Sequence, residues 1–211
     1  MYDVAAFRED RVEVMHALIQ AHPLATLVIM SAQGLEANHI PFLIDSASAS
    51  DGAFGTLRGH VARANPVWRS FNADVDVLAV FQGPQGYITP SWYPSKAQHG
   101  KVVPTWNYAV VHAHGPLKIV DDAEWLRTLV TRLTRSQESS RAKPWQVTDA
   151  PPDYINTMLK AIVGIEIPVR RLQGKWKMSQ NRLPQDRDGV IAGLEQRGDE
   201  TSRALLQALR R

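Results

Sequence analysis

The chain contains no cysteine, which removes disulfides, thiolate nucleophiles, iron–sulfur clusters and cysteine-ligated zinc from the range of chemistries open to it. Long apolar runs are missing too. The longest, Leu24 to Met30, is far too short to cross a bilayer. Met1 to Asp10 mixes acidic and basic residues and lacks the apolar core of a leader, so the expected location is the cytoplasm. An excess of one charge is nearly absent: 24 Lys+Arg against 21 Asp+Glu leave a formal charge of +3, a weak footprint for wrapping nucleic acid. No Gly-rich loop of the Walker or Rossmann type is present, nor a Gly-x-Ser-x-Gly elbow, an H-E-x-x-H helix or an internal repeat. Chemistry, if there is any, must come from the other side chains or from a cofactor.

What remains is an ordinary globular composition, 44% hydrophobic and 21% charged over 211 residues, enough for one sizeable core in a single domain. Asp10 is placed to cap a helix whose Val12, Met15, Leu18 and Ile19 share a face, ending before Pro23. Leu24–Met30 and Leu35–Ile44 read as strands joined through Ser31-Ala32-Gln33-Gly34. Asp45–Gly52 reads as a loop, Ala53–Gly59 as a strand, and Asn65-Pro66 as the cap and first residue of a short helix. Strands are expected at Asp76–Phe81 and Tyr87–Pro90, a loop over Ser91–Pro104, and a strand pair Trp106–His114 and Leu117–Val120 across Gly115-Pro116. Asp121 or Asp122 caps a helix bearing Trp125, Leu126, Leu129, Val130 and Leu133. A polar linker over Ser136–Ala150 leads to a second helix through Tyr154, Ile155, Met158, Leu159 and Ile162. Val163–Val169 is a late strand. Short helices at Val190–Leu194 and Arg203–Arg211 form a C-terminal extension from about residue 186. Short strands, tight turns and segregated helices predict a mainly β, α+β fold with an antiparallel barrel flanked by helices.

The chemistry-bearing residues concentrate in Tyr87–Lys96 and His99–Tyr108, where aromatic, hydroxyl, amide and cationic side chains fall among prolines and glycines. That mixture suits a flat, polar-edged, phosphorylated ligand; the alternative is that Trp92 and Trp106 are packing residues. Gly59–Pro66 puts Arg63 beside a helix N-terminus, where a phosphate is welcome, although Asn65 capping alone explains the Asn-Pro pair. Gly174–Arg182 is a second cationic cluster within a basic stretch running from Arg170 to Arg187. If it is extended, Lys175, Lys177 and Ser179 share one face and converge on an anion, or else they form a solvated edge. His112 and His114 sit two apart on a strand but without a His-plus-carboxylate array of recognised spacing, which favours a structural or supporting role over a metal site.

Five ordered segments, Asn38-His39-Ile40-Pro41-Phe42, Gly59–Pro66, Tyr87–Lys96, Val103–Asn107 and Gly174–Arg182, together resemble the PaiB-like family of FMN-binding negative transcriptional regulators, over about Met1 to Gly193. The resemblance implies an FMN-binding split antiparallel β-barrel, dimeric, with the flavin near the subunit interface. It implies FMN as cofactor, a homodimer, and DNA or a regulatory protein as a further partner. Flavin-ring contacts are implied at Asn38, His39, Ile40, Trp92, Tyr93, Trp106 and Asn107. Phosphate and ribityl contacts are implied at His60, Arg63, Lys101, Lys175, Lys177, Ser179 and Arg182. The alternative function is a flavin-dependent oxidoreductase of the pyridoxamine-phosphate-oxidase or flavin-reductase type. A repressor binding DNA by itself is disfavoured by the low net charge and the lack of a basic recognition helix.

Overall fold

The computed structural model describes residues 1–2, 4–46 and 53–210, so most of the expected Asp45–Gly52 loop and the terminal Arg211 lie outside the described residues. Two compact units emerge. The first comprises Met1–Leu18, Gln82–Val111 and Gln173–Arg211, the second Ile19–Phe81 and His112–Leu172. Strands β6 (Val77–Ile88) and β7 (Thr105–Gly115) contribute residues to each.

In the first unit the strands run β1-β10-β7-β6, β1 being Arg8–Glu9 and β10 Arg171–Lys177. Arg8 lies opposite Lys175 and Glu9 opposite Gly174. The glycines and proline that argue for a break after Phe81 do not interrupt β6. A Cβ on Gly83 would stand 2.7 Å from Leu18, and one on Gly86 would stand 2.7 Å from Leu205. The missing side chains are where helices α1 (Val12–Ala21) and α7 (Glu200–Leu209) press onto the strand, a close approach only glycine permits.

The expected loop over Ser91–Pro104 carries a helix, α3 (Ser95–His99), which stops at Gly100 in the left-handed region, φ 65°. Its first residue is held by Asp186, whose carboxylate accepts from Ser95 N at 3.1 Å and Ser95 Oγ at 2.8 Å. The C-terminal helices are longer than the apolar pattern suggests. Pro184 opens α6 (Pro184–Arg197) and Gly198 closes it, while Asp199 accepts from Ser202 N at 2.7 Å to start α7.

In the second unit β2 (Leu24–Ser31) and β3 (Gly34–Pro41) form the expected hairpin, in register from Leu24↔Pro41 to Ser31↔Gly34. β2 also pairs with β6. The Leu35–Ile44 run is two strands rather than one: Pro41 has no N–H to extend the ladder, and Phe42 turns inward onto Phe81, edge to face at 6.3 Å. Beyond it β4 (Leu43–Asp45) enters a second antiparallel sheet, ordered β4-β5-β9-β8. Here β5 is Thr56–Ala62, β8 Lys118–Val120 and β9 Ile162–Pro168. The expected pairing of β7 with β8 is likewise replaced: β8 pairs with β9. Gly115-Pro116 is a sheet switch, since a Cβ at Gly115 would stand 2.0 Å from the Pro168 carbonyl oxygen.

Helix α2 spans Val67–Ser70. Helix α4 (Ala123–Glu138) starts as expected, with Asp122 accepting from Trp125 N at 2.7 Å. It packs with α5 (Pro152–Lys160) through Leu126, Val147, Ile155 and Leu159. Gly164 on β9 makes room for the Trp125 ring, which a Cβ would approach to 2.3 Å. Two antiparallel sheets with flanking helices are the α+β architecture that the sequence predicts.

Candidate functional site

In the first unit, neighbouring β7 and β10 bring together residues from the last two aromatic and basic segments. Asn107 is fully buried and pairs with Ser179, its Nδ2 donating to Ser179 Oγ at 3.0 Å. Ser179 is the only non-glycine with positive φ (61°) among the described residues. The expected face of Lys175, Lys177 and Ser179 is therefore partly realised: β10 ends at Lys177, and the chain turns sharply at Ser179 instead of remaining extended. Lys177 Nζ donates to the Trp106 carbonyl at 2.7 Å and to Thr105 Oγ1. Lys175 is buried, donating to the Tyr2 carbonyl at 3.0 Å with the Tyr108 ring 5.7 Å away.

Arg182 follows the turn and sits 4.9 Å from the centroid of the Tyr93 ring. Tyr93 is buried, and among the described residues its hydroxyl meets no hydrogen-bond partner. Burial pushes the phenol above its usual value against the opposing pull of Arg182. Burial also lowers the Lys177 ammonium, and the positive charges of Arg182 and Lys175 lower it further. Among the described residues none of Lys101, Lys175, Lys177 and Arg182 forms an ion pair. Lys101, Arg182, His99 and Asn181 line an open pocket of about 320 Å³, whose single carboxylate, Asp186, already accepts from Ser95. Such mutual repulsion favours an added anion.

The two tryptophans diverge. Trp106 is half-exposed, donating Nε1–H to Gln85 Oε1 at 3.1 Å and meeting Tyr87 edge to face at 6.3 Å. Trp92 packs against Gly189 and Gly193 of α6, with Arg197 at 5.6 Å from its ring centroid.

The second unit holds the remaining candidates. Asn65 Nδ2 donates to Asn38 Oδ1 at 2.9 Å, and Asn65 Oδ1 accepts from Val67 N at 3.0 Å, so the cap bonds the first residue of the four-residue α2. His39 is exposed on β3 and Ile40 is buried beside it. His60 is half-buried, its Nδ1 without a partner among the described residues, and burial depresses its pKa. Arg63 forks onto Asp121 at 2.9 and 2.6 Å and donates to the Lys160 and Ile162 carbonyls, so its charge is already compensated. His114 Nδ1 accepts from Arg171 Nη2 at 3.0 Å, and burial with that neighbouring cation lowers its pKa to about 4.

His99 and Asn181 lie inside the segments singled out by composition but carry no role assigned there, and Asp186 lies outside those segments. The one available signal is Asp186, an acid in the first turn of a proline-initiated helix and thus able to hold a loop donor.

A family model described as "Putative FMN-binding domain" matches residues 1–171. The chain is 37% identical over 242 residues to the uncharacterized protein AN0679 of Emericella nidulans, covering 100% of this chain and 96% of that protein. It is 31% identical over 209 residues to the protease synthase and sporulation protein PAI 2 of Bacillus subtilis, covering 99% and 96%. The flavocytochrome Anf3 from Azotobacter vinelandii shares the fold at TM-score 0.56 and 12% identity, covering 81% of this chain and 69% of that one. Among the described residues no helix is long and apolar enough to cross a membrane.

Proposed function

The chain belongs to the FMN-binding domain family, and from that premise we propose that it is an FMN-binding negative regulator of transcription acting as a homodimer. FMN is its cofactor. The observation that carries the proposal is the cluster of Lys175, Lys177 and Arg182, which repel one another and have no ion pair among the described residues. A terminal phosphate supplies the missing negative charge and accepts charge-assisted hydrogen bonds from Lys177 and Arg182, and Lys101 shares a pocket with Arg182. The Tyr93 hydroxyl, buried and without a partner among the described residues, is a donor and acceptor still to be satisfied. Half-exposed Trp106 offers an apolar face for a ring system. The donor set therefore fits the group.

Bound FMN supplies electron-transfer chemistry of its own. The residues of this chain bind the phosphate and orient the ring; nothing in their arrangement requires a protein acid or base. The regulatory half of the proposal draws on PAI 2, whose name ties that relative to protease synthesis and sporulation.

The test begins with FMN and FAD titrations followed by flavin fluorescence, and with light scattering. Quenching by FMN at micromolar concentration, weaker binding of FAD, and a mass twice that of the chain are expected. The regulatory claim is tested by transcript profiling of a strain lacking the gene, complemented with the wild-type gene or with Lys177→Met. Transcripts that rise on deletion and fall only with the wild-type copy support it. An unchanged profile, with steady NAD(P)H oxidation by the purified protein, replaces it with a flavin-dependent oxidoreductase.

A further inference from the structure

A second pocket of the first unit, of about 230 Å³, shares no lining residue with the Lys101–Arg182 pocket. It is walled mostly by residues from Trp176 to Leu209. Arg8, Arg11 and Arg187 face it, against the single carboxylate of Glu9. Arg11 is committed to that carboxylate, donating from Nε at 2.8 Å and from Nη2 at 2.6 Å. Arg187 is not. Its side chain has no ion pair or hydrogen bond among the described residues, and its Nε is buried without a partner.

A half-buried guanidinium without a local acceptor is held by packing alone and presents a preorganised fork of donors. The rest of the wall is mostly apolar, formed by Trp176, Met178, Ala208 and Leu209 with the one carboxamide of Gln180. Trp176 and Met178 are buried, and Gln180 is pinned between them, accepting from Met178 N at 2.6 Å and donating to the Trp176 carbonyl. One uncommitted planar cation beside an indole and a thioether selects a planar monoanion with an apolar body. Inorganic phosphate gains less, because it has no apolar body to lay against Trp176, Met178 and Leu209.

We propose that this pocket is a binding site for a small aromatic or otherwise apolar carboxylate, with Arg187 as the residue that captures the carboxylate group. The site is separate from the FMN pocket and does not depend on that assignment.

Isothermal titration of the full-length protein with sodium benzoate, acetate and inorganic phosphate at matched ionic strength tests it. Benzoate is expected to bind saturably at one site per chain, with acetate and phosphate weaker by about tenfold or more. Arg187→Met should weaken benzoate by about tenfold or more, leaving FMN uptake and the melting temperature unchanged. Arg187→Lys, which keeps the charge and loses the fork, should fall between, and serves as the comparison if Arg187→Met does not fold. Absence of saturable benzoate binding, preference for phosphate, or equal benzoate affinity in the Arg187 variants overturns the proposal. FMN uptake, read by absorbance on the same sample, reports separately on the flavin pocket.

Discussion

The indole of Trp92 fills the space that any side chain on Gly193 would need: a Cβ there would stand 2.2 Å from the ring. A Cβ on Gly189, one turn earlier on α6, would stand 1.9 Å from the Trp92 carbonyl oxygen. The two glycines are a seat for Trp92, and Gly193→Ala overfills it. The substitution should lower the unfolding free energy by about 1–3 kcal/mol in urea denaturation. If Trp92 served flavin contact alone, Gly193→Ala would instead change FMN affinity at constant stability.

The cluster that includes Lys177 and Arg182 makes a sharper prediction about the phosphate. A charge-assisted hydrogen bond contributes about 1.5–3 kcal/mol, so Lys177→Met or Arg182→Met should weaken FMN by about ten- to a hundredfold. Riboflavin, which lacks the phosphate, should lose much less. Parallel losses for both ligands in fluorescence titrations would remove the phosphate from this cluster.

Legibility in the sequence tracked how local each physical cause is. The β2–β3 hairpin and the Asp122 cap were readable because turn chemistry and capping act within a few residues. The passage of β6 through Gly83-Pro84-Gln85-Gly86 was not, because its cause is Leu18 and Leu205 pressing on those glycines from distant helices. The same holds for β8, whose partner β9 lies more than forty residues onward. At the candidate site, the basic and aromatic segments were visible as composition. The positive φ of Ser179 and the Asp121 partner of Arg63 depend on tertiary neighbours and leave no local mark.

Ser179 couples strain to a buried hydrogen bond. Ser179→Ala removes the hydroxyl that Asn107 meets at 3.0 Å and leaves that fully buried amide short of a partner, which costs about 1–3 kcal/mol. Ser179→Gly loses the same bond but relaxes a left-handed residue by about 1 kcal/mol. The glycine variant should therefore be the more stable of the two in chemical denaturation. An alanine variant at least as stable would show that the backbone at this turn is not strained.

Asp45 provides the clearest pH dependence. Its carboxylate is bonded by Arg132, with Nη1 at 3.0 Å, and by Arg58, which also donates to Glu166 at 2.6 Å. The Arg132 hydrogen bond and the charges of both arginines outweigh burial and hold its pKa below the usual value. The unfolded chain has no such partners, and its aspartate titrates near pH 4. Above that pH both states carry the charge and the folded state gains the full pairing. As pH falls through the lower folded value the proton displaces both arginines, and the gain is lost. Asp45→Asn should cost about 2 kcal/mol at pH 7, and the gap between wild type and variant should close below about pH 4. Arg58 keeps Glu166 in the variant, and Arg132, whose side chain is 43% exposed, is left to solvent. Urea unfolding of both proteins from pH 7 to pH 3 decides the matter, and a gap that stays constant with pH would mean that Asp45 acts through packing instead of charge.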